Sequence, residues 1–238
     1  MLSQHRIERD FSLGRFDSLL HALVQHQGLD LPPSLVIRLS SSPTGAIALG
    51  LRRLTELTYG PTALGRAMTD RLLAEQDTHG SFAHDPLATA CAIAAMNRLL
   101  RDHMVPPANQ PAVRQARERA IAALAQMQAH ADALCPAFLT SEDPASEAGE
   151  YPSRDETADL HDPLFAHPDD RTWQDRAATA AFALYLLADD HDFRAAIRFA
   201  DLLDWFEAHQ DDLDPTTHQL WEMALLTAPQ AQLAALAA

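Results

Sequence analysis

Two predicted helices in this chain are apolar on nearly every side, and no other sequence feature limits the possible folds as much. They cover residues 87–96 and 177–187, where Ala, Leu and other apolar residues follow one another without a charge. A helix that is apolar all round has to be buried all round. The predicted helices at 110–130 and 193–210 instead carry one apolar stripe and one charged face. Fully buried and one-faced helices therefore alternate along the sequence.

Helix signals dominate the rest of the chain, and strand signals are nearly absent. Eight glycines and fifteen prolines separate long runs that are rich in Ala and Leu. These runs predict helices at residues 15–27, 44–57, 62–76, 87–101, 110–130, 171–188, 193–210 and 216–227. The sequence therefore predicts an all-α fold.

The alternation of helices has a regular period. The second helix of each predicted pair begins near Pro43, Pro86, Arg171 and Pro215, at steps of 43, 85 and 44 residues. The middle step contains a long loop, residues 131–170, and without its 40 residues the step falls to 45. Four helical hairpins with a repeat of about 44 residues are the simplest account of this spacing.

Three of these helix starts share one chemistry, because Ser42, Asp85 and Asp214 each stand directly before a proline. The side-chain oxygen at such a position accepts an unpaired backbone N–H of the first turn, and proline has no N–H to leave unpaired. Asp192 is expected to cap the helix at 193–210 in the same way. We therefore interpret the clusters at 189–192 and 211–214 as helix starts, with a Mg²⁺–diphosphate site as the alternative.

Inner buried helices that alternate with outer one-faced helices are typical of an α/α toroid or of a curved helical solenoid. Four hairpins are too few for a closed ring of six, so we expect an incomplete ring or an arc. Residues 1–238 are expected to form this one helical domain, with the acidic loop or lid at 131–170 within it.

The charge of the chain argues against two classes of partner. Eighteen Arg, no Lys and thirty-three acidic residues give a net charge of −15, which repels nucleic acid and anionic membranes. We expect neither a membrane span nor a secretory signal, because no suitable apolar stretch occurs. Cys91 and Cys135 are too few for a disulfide framework, which favours a cytoplasmic protein.

The segment Gln76-Asp77-Thr78-His79-Gly80-Ser81-Phe82 resembles the Q-x-x-x-G-x-W/F repeat of the terpene cyclase and protein prenyltransferase superfamily. The resemblance implies an α/α toroid in which Gln76 caps helix ends, Gly80 completes the motif and Phe82 stacks beside the glutamine. The next residues, 85–96, look like an inner helix of that family. Partial echoes of the glutamine occur at Gln27, Gln128 and Gln210.

The catalytic signatures of that superfamily are not carried over to this chain. Squalene-type cyclases carry D-x-D-D, whereas the two clusters at 189–192 and 211–214 read D-D-x-D. Protein prenyltransferases hold zinc with an Asp two residues before a Cys, and here Thr89 stands two residues before Cys91. The resemblance therefore implies the fold and neither activity.

Loops that lead from outer to inner helices should share one end of the ring, where helix N-termini favour anions. These loops supply His79, His84 and Asp85 as candidate ligand-binding residues. Tyr185 and Trp221 lie on predicted inner helices and are the candidates for lining a cavity around a small apolar ligand.

A metal site is a further possibility. Asp85, His161 and His167 could supply carboxylate and imidazole ligands to Mg²⁺ or Zn²⁺, although their spacing matches no established metal motif. No other cofactor is predicted.

The loop at 131–170 is far longer than an ordinary connection. Residues 141–170 hold ten acidic residues and a single arginine, Arg154. This composition favours a solvated insert. The alternative is a lid over the mouth of the ring, docked through Tyr151 or Phe165.

Two classes of function fit these patterns. The first is a non-catalytic or divergent member of the terpene-cyclase-like toroids that binds a ligand or a protein partner. The second is an enzyme that acts on an isoprenoid or a carbohydrate at the outer-to-inner end of the toroid, and it rests on fold analogy. The space between the inner helices decides between these two classes of function. A deep cavity there favours an enzyme, and a space filled by Ala and Leu side chains favours a binding scaffold.

Overall fold

The computed structural model describes residues 31–57, 60–138, 163–165, 167 and 172–227. Within these ranges the regular elements are helices and there is no strand, which confirms the all-α class. None of the described helices is long and apolar enough to cross a bilayer. The predicted helix at 15–27, with Gln27, and the candidates Tyr151 and His161 lie outside the described residues.

The chain divides into two compact units, Met1–Ala120 and Ile121–Ala238. The first unit contains α1 (Pro33–Ser41), α2 (Pro43–Glu56), α3 (Ala63–Ala74), α4 (Pro86–Arg101) and the start of α5 (Gln110–Phe138). The second contains the rest of α5, then α6 (Trp173–Leu187), α7 (His191–Ala196), α8 (Phe199–His209), a 3₁₀ turn (Gln210–Asp212) and α9 (Pro215–Thr227). The expectation of one domain over residues 1–238 stays a prediction.

The core of the first unit is built on α4, which is buried at 12 of its 16 residues. Its most extensive partner there is α2, which is buried at 8 of 14 residues. The neighbouring α3 buries only Gly65, Met68, Thr69 and Leu72. The predicted contrast between a fully buried helix and a one-faced neighbour is therefore confirmed in this unit.

The second unit repeats this division of roles. Its helix α6 is buried at 10 of 15 residues and packs most extensively along α9. By contrast, α8 buries only Leu202, Leu203 and Phe206. In both units the most extensive pairing therefore joins two helices that the sequence predicts to be inner.

The predicted helix caps are confirmed at the three Ser/Asp–Pro starts. The side chains of Ser42, Asp85 and Asp214 accept N–H groups of the first helical turn at distances of 3.2, 2.8 and 3.0 Å. The prediction for Asp192 is wrong, because α7 begins at His191 and Asp190 is the residue that caps it.

Three helix bounds differ from the prediction. The helix α1 was not foreseen, although Pro33 occupies its first turn. The helix α5 runs on to Phe138 instead of ending at 130, although Pro136 lies in its last turn. Residues 131–138 therefore belong to α5 and not to the loop predicted at 131–170. The helix predicted at 193–210 is broken at Ile197, whose backbone is extended.

The backbone next to the break at Ile197 is bound by a residue that is far away in the sequence. Gln128 on α5 is 1% exposed, and its Oε1 accepts the backbone N–H of Arg198 at 2.8 Å. Its Nε2 donates to the carbonyl of Pro163 at 2.7 Å. One buried carboxamide therefore fastens the α7–α8 corner and the segment 163–165 to α5.

Leu164 and Phe165 belong to the range that was expected to form a solvated insert. Both side chains are buried, and Arg176 on α6 donates to both backbone carbonyls at 3.3 Å. A solvated insert over the whole range 131–170 is therefore wrong at 163–165, and also at 131–138, which are helical.

We predict that Gln128→Met lowers the free energy of unfolding by about 2–4 kcal/mol, because it leaves a buried carbonyl and a buried N–H unpaired. Gln126→Met, on the exposed side of the same helix, is the matched control and should change it by less than about 0.5 kcal/mol. Urea denaturation of both variants measures the difference. Equal stabilities would contradict the role of Gln128.

Candidate functional site

Gln76 ends the turn after α3 and fastens the loop that leads into α4. Its Nε2 donates to the carbonyls of Gly80 at 2.9 Å and of Ala116 on α5 at 2.7 Å. The Arg119 guanidinium donates to its Oε1. Gln76 therefore has backbone partners, as the motif implies, but these lie in its own loop and on α5. It does not cap the following helix, α4.

Gly80 and Phe82 are both required by the geometry of this loop. Gly80 has a φ of +92°, and a Cβ there would lie 2.6 Å from the carbonyl oxygen of Arg119. Phe82 is fully buried and pairs with Gln76 in an isolated β-bridge. The backbone N–H of Phe82 also donates to the Thr89 hydroxyl at 3.1 Å.

Thr89 stands where the prenyltransferase pattern has a zinc-binding Asp. Besides accepting from Phe82, its hydroxyl donates to the carbonyl of Asp85 at 2.8 Å. The side chain is fully buried. Thr89 thus joins the loop to the first turn of α4 instead of supplying a metal ligand.

Asp77 is the centre of a hydrogen-bonded cluster that the sequence analysis did not single out. Its Oδ1 accepts the backbone N–H groups of His79 at 2.8 Å and of Ser81 at 2.9 Å, and its Oδ2 accepts the Ser81 hydroxyl. Partial burial acts to raise the pKa of Asp77, but these hydrogen bonds and the nearby His84 outweigh it and lower the pKa. The signal in the sequence was an Asp followed by a turn with Gly80, which is typical of Asx turns.

Ser81, His84 and Asp77 are the residue types of a hydrolase triad. Such a triad uses the two different ring nitrogens of the histidine, one for the serine and one for the carboxylate. Here the Ser81 hydroxyl, at 3.4 Å, and the Asp77 carboxylate, at 3.2 Å, both face His84 Nδ1. Ser81 is buried and donates to Asp77 rather than to the histidine. The cluster therefore has the residues of a triad without the geometry for activating a nucleophile.

His79 and His84 are brought together at the exposed surface of this loop. Their ring centroids lie 6.3 Å apart. His84 and Ala83 have φ values of 53° and 55°, in the left-handed region that ordinary residues seldom adopt. The cluster around Asp77 holds this unfavourable backbone in place.

Asp85 is buried and fully engaged in the structure of the first unit. Besides capping α4 through the Leu87 N–H, it forms an ion pair with Arg38 of α1. Cys91 lies one and a half turns further along α4, and burial, followed by the negative charge of Asp85, raises the pKa of its thiol to about 12. Asp85 therefore links α1 to the start of α4.

Within the described residues, the candidate metal ligands do not come together. No group of three or more His, Cys, Asp or Glu residues in those ranges could hold a metal ion. Asp85 is committed to Arg38 and Leu87. His167 is half-buried, and His161 falls outside the described residues. The Mg²⁺ or Zn²⁺ site stays a prediction.

The two cavity candidates, Tyr185 and Trp221, lie in the second unit. Trp221 is 4% exposed and stacks on Phe206, with ring centroids 5.0 Å apart. Tyr185 is half-buried and lies beside Phe182, at 6.1 Å. Trp221 therefore packs as a core residue.

A half-exposed aromatic cluster also occurs in the second unit, and the sequence analysis missed it. Trp205 on α8 lies edge-on to Trp173 at 6.0 Å and stacks on His209 at 4.4 Å. These three residues are called the α8 aromatic cluster below. The spacing of Trp205 and His209, one turn apart on one helix, was the available signal. The meeting with Trp173 of α6 depends on tertiary packing.

Comparison of the chain with protein-family models, with curated proteins and with solved structures finds no match. The resemblance to terpene cyclases and protein prenyltransferases therefore rests on residues 76–96. Within that range, the Gln, Gly and aromatic positions of the motif each have a structural role in the loop before α4.

We predict that Asp77→Asn destabilises the protein by about 1–2 kcal/mol at pH 7, because charge-assisted hydrogen bonds are lost. Since the folded pKa lies below the unfolded value, the ionised carboxylate stabilises the fold above the unfolded pKa. That contribution disappears as the pH falls through the folded pKa. The gap between wild type and variant should therefore narrow as the pH falls below about 4.

Urea denaturation from pH 7 to pH 3 measures this gap. The control is Asp70→Asn, which removes an exposed carboxylate from α3 and should leave stability nearly unchanged over the range. A gap for Asp77→Asn that is as wide at pH 3 as at pH 7 would contradict the stabilising role of the ionised carboxylate.

Proposed function

We propose that this chain is a helical-repeat binding protein that keeps the hairpin framework of the terpene-cyclase-like toroids and holds a protein partner instead of performing catalysis. The observation that carries the proposal is the state of the loop before α4. Asp77 binds Ser81, Asp85 binds Arg38, and Thr89 binds the loop backbone. The carboxylates and hydroxyls that could act on a substrate at this end are thus engaged in holding the loop.

The pairing of helices supports a toroid-like arrangement of the four hairpins. Consecutive inner helices of an α/α toroid lie side by side. The pairs α2–α4 and α6–α9 are the most extensive helix pairings in their respective units. An incomplete ring or an arc of four hairpins accounts for both pairings.

The close packing of the inner helices favours a protein partner over a small ligand. Five buried alanines lie along α4 between its first and last turns, which lets neighbouring helices approach closely. On α2, a Cβ at Gly50 would come within 2.9 Å of the Met68 side chain, so α2 and α3 are also in close contact. Helices that pack this closely leave little internal space for a small ligand, so we expect a partner to bind the outer surface.

The alternative is an enzyme that acts on an isoprenoid or a carbohydrate at the loop before α4. Farnesyl diphosphate with Mg²⁺, and separately maltohexaose, can be incubated with the protein while turnover is followed by chromatography and binding by calorimetry. We expect neither turnover nor saturable binding of either compound, because the carboxylates and hydroxyls of the loop are engaged in hydrogen bonds and an ion pair within the protein.

The variant His84→Ala and the matched variant His191→Ala, an exposed histidine of the second unit, make this test specific. Turnover or saturable binding that His84→Ala removes and His191→Ala leaves intact would contradict the proposal and establish the enzyme alternative. Weak binding that is equal in both variants would be unrelated to the loop and would leave the proposal standing.

A further inference from the structure

The net negative charge of this chain comes from its second half. Residues 1–120 hold thirteen Arg and eleven acidic residues, which gives a net charge of +2. Residues 121–238 hold five Arg and twenty-two acidic residues, which gives −17. Because this division coincides with the two compact units, the second unit alone is strongly acidic.

Within the described part of the second unit, uncompensated carboxylates gather on α8 and the 3₁₀ turn after it. From residue 199 to the end of the chain there are seven acidic residues and no Arg. Six of them are exposed. Glu222 pairs with His218, and in the described residues the other five form no ion pair: Asp201, Asp204, Glu207, Asp211 and Asp212. Like charges at this spacing repel one another and destabilise the helix that carries them.

The α8 aromatic cluster lies among these carboxylates. Asp201 precedes Trp205 by four residues and His209 follows it by four, so the three share one side of the helix. Trp205 and Trp173 are both half-buried, which leaves part of each indole accessible to a partner. The helix α8 itself contains no Arg, although Arg198 directly precedes it. A helix face with indole rings and exposed carboxylates is suited to binding positive charge.

Two physical effects favour a cationic occupant at this face. The indole ring is the aromatic surface that attracts a cation most strongly. Arg adds a planar guanidinium that stacks on an aromatic ring and binds a carboxylate through two N–H groups. Tryptophans surrounded by polar residues also dominate the binding energy of many protein interfaces.

We propose that the face formed by the α8 aromatic cluster with Asp201 and Asp204 binds an arginine-rich segment of a partner protein. The inference rests on the proposed function, for which it supplies the surface and the chemistry of the partner. The carboxylates attract the segment from a distance and set the dependence on salt. Trp205 and Trp173 hold the guanidinium groups by stacking.

The test uses a deca-arginine peptide as the probe and deca-glutamate as its opposite. The side-chain N–H signals of Trp173, Trp205 and Trp221 can be followed by NMR during the titration. We expect deca-arginine to shift the signals of Trp173 and Trp205 and to leave the core residue Trp221 nearly unmoved. Deca-glutamate should shift none of them, and the binding should weaken as salt is added.

Two double variants with the same chemical change separate this face from general attraction to an acidic protein. Asp201→Asn with Asp204→Asn should weaken deca-arginine binding about fivefold to tenfold, the scale of two partly screened ion pairs. Asp70→Asn with Glu118→Gln removes two exposed carboxylates from the first unit and should change it less than about twofold. Both variants keep the core intact, so a failure to fold does not obscure the comparison.

The contribution of the aromatic rings is tested by Trp173→Leu, with circular dichroism as the check on folding. This variant should bind deca-arginine several-fold more weakly than the wild type. An absence of deca-arginine binding, equal weakening by the two double variants, or an unchanged affinity in a folded Trp173→Leu would each overturn the proposal. The isoprenoid and carbohydrate assays are independent of this face, so turnover there would refute the proposed function, whereas failed peptide binding without turnover refutes the docking face alone.

Discussion

The burial of α4 on every side is the constraint on which the first unit depends. Its exposed positions are confined to the C-terminal turn, and small alanines cover much of the rest. Such a helix gains its stability only when other helices surround it. Its two ends are therefore the places where polar groups gather, with Asp85 and Arg38 at the start. The pairing of α2 with α4 and the hydrogen bonds that hold the loop before α4 both follow from the need to bury this helix.

Two glutamine side chains have the same role in the two units, because each joins backbone groups of segments that are far apart in the sequence. Gln76 holds carbonyls of its loop and of α5, and Gln128 holds the α7–α8 corner and the segment at 163–165. A carboxamide can donate and accept hydrogen bonds at the same time, so it can connect two backbone segments that are not adjacent in the sequence. The loop cluster around Asp77 then completes the first unit. Its chemistry serves the fold, and this is why we assign function to the outer surface of the second unit.

Much of the fold could be predicted because its signals are local. Apolar periodicity identified the buried helices, and the Ser/Asp–Pro pairs identified their starts. The break at Ile197 could not be predicted, because its partner Gln128 lies 70 residues away. For the same reason the sequence placed the partners of Gln76 wrongly, since Ala116 is 40 residues distant. The position of His79 and His84 in one loop followed from the sequence, whereas the contact between Trp173 and Trp205 could not be predicted because it is made only by packing.

The most direct test of the all-round burial of α4 uses Cys91 as a probe in a Cys135→Ser variant. Its thiol is fully enclosed and has a pKa of about 12, so a disulfide reagent can reach and react with it only when the unit opens. The labelling rate at pH 8 should be slower than that of the unfolded chain by the factor that the free energy of unfolding sets, and it should rise with urea. Labelling without urea at the rate of the unfolded chain would show that α4 is accessible to the reagent. This result would contradict the burial of α4 on every side.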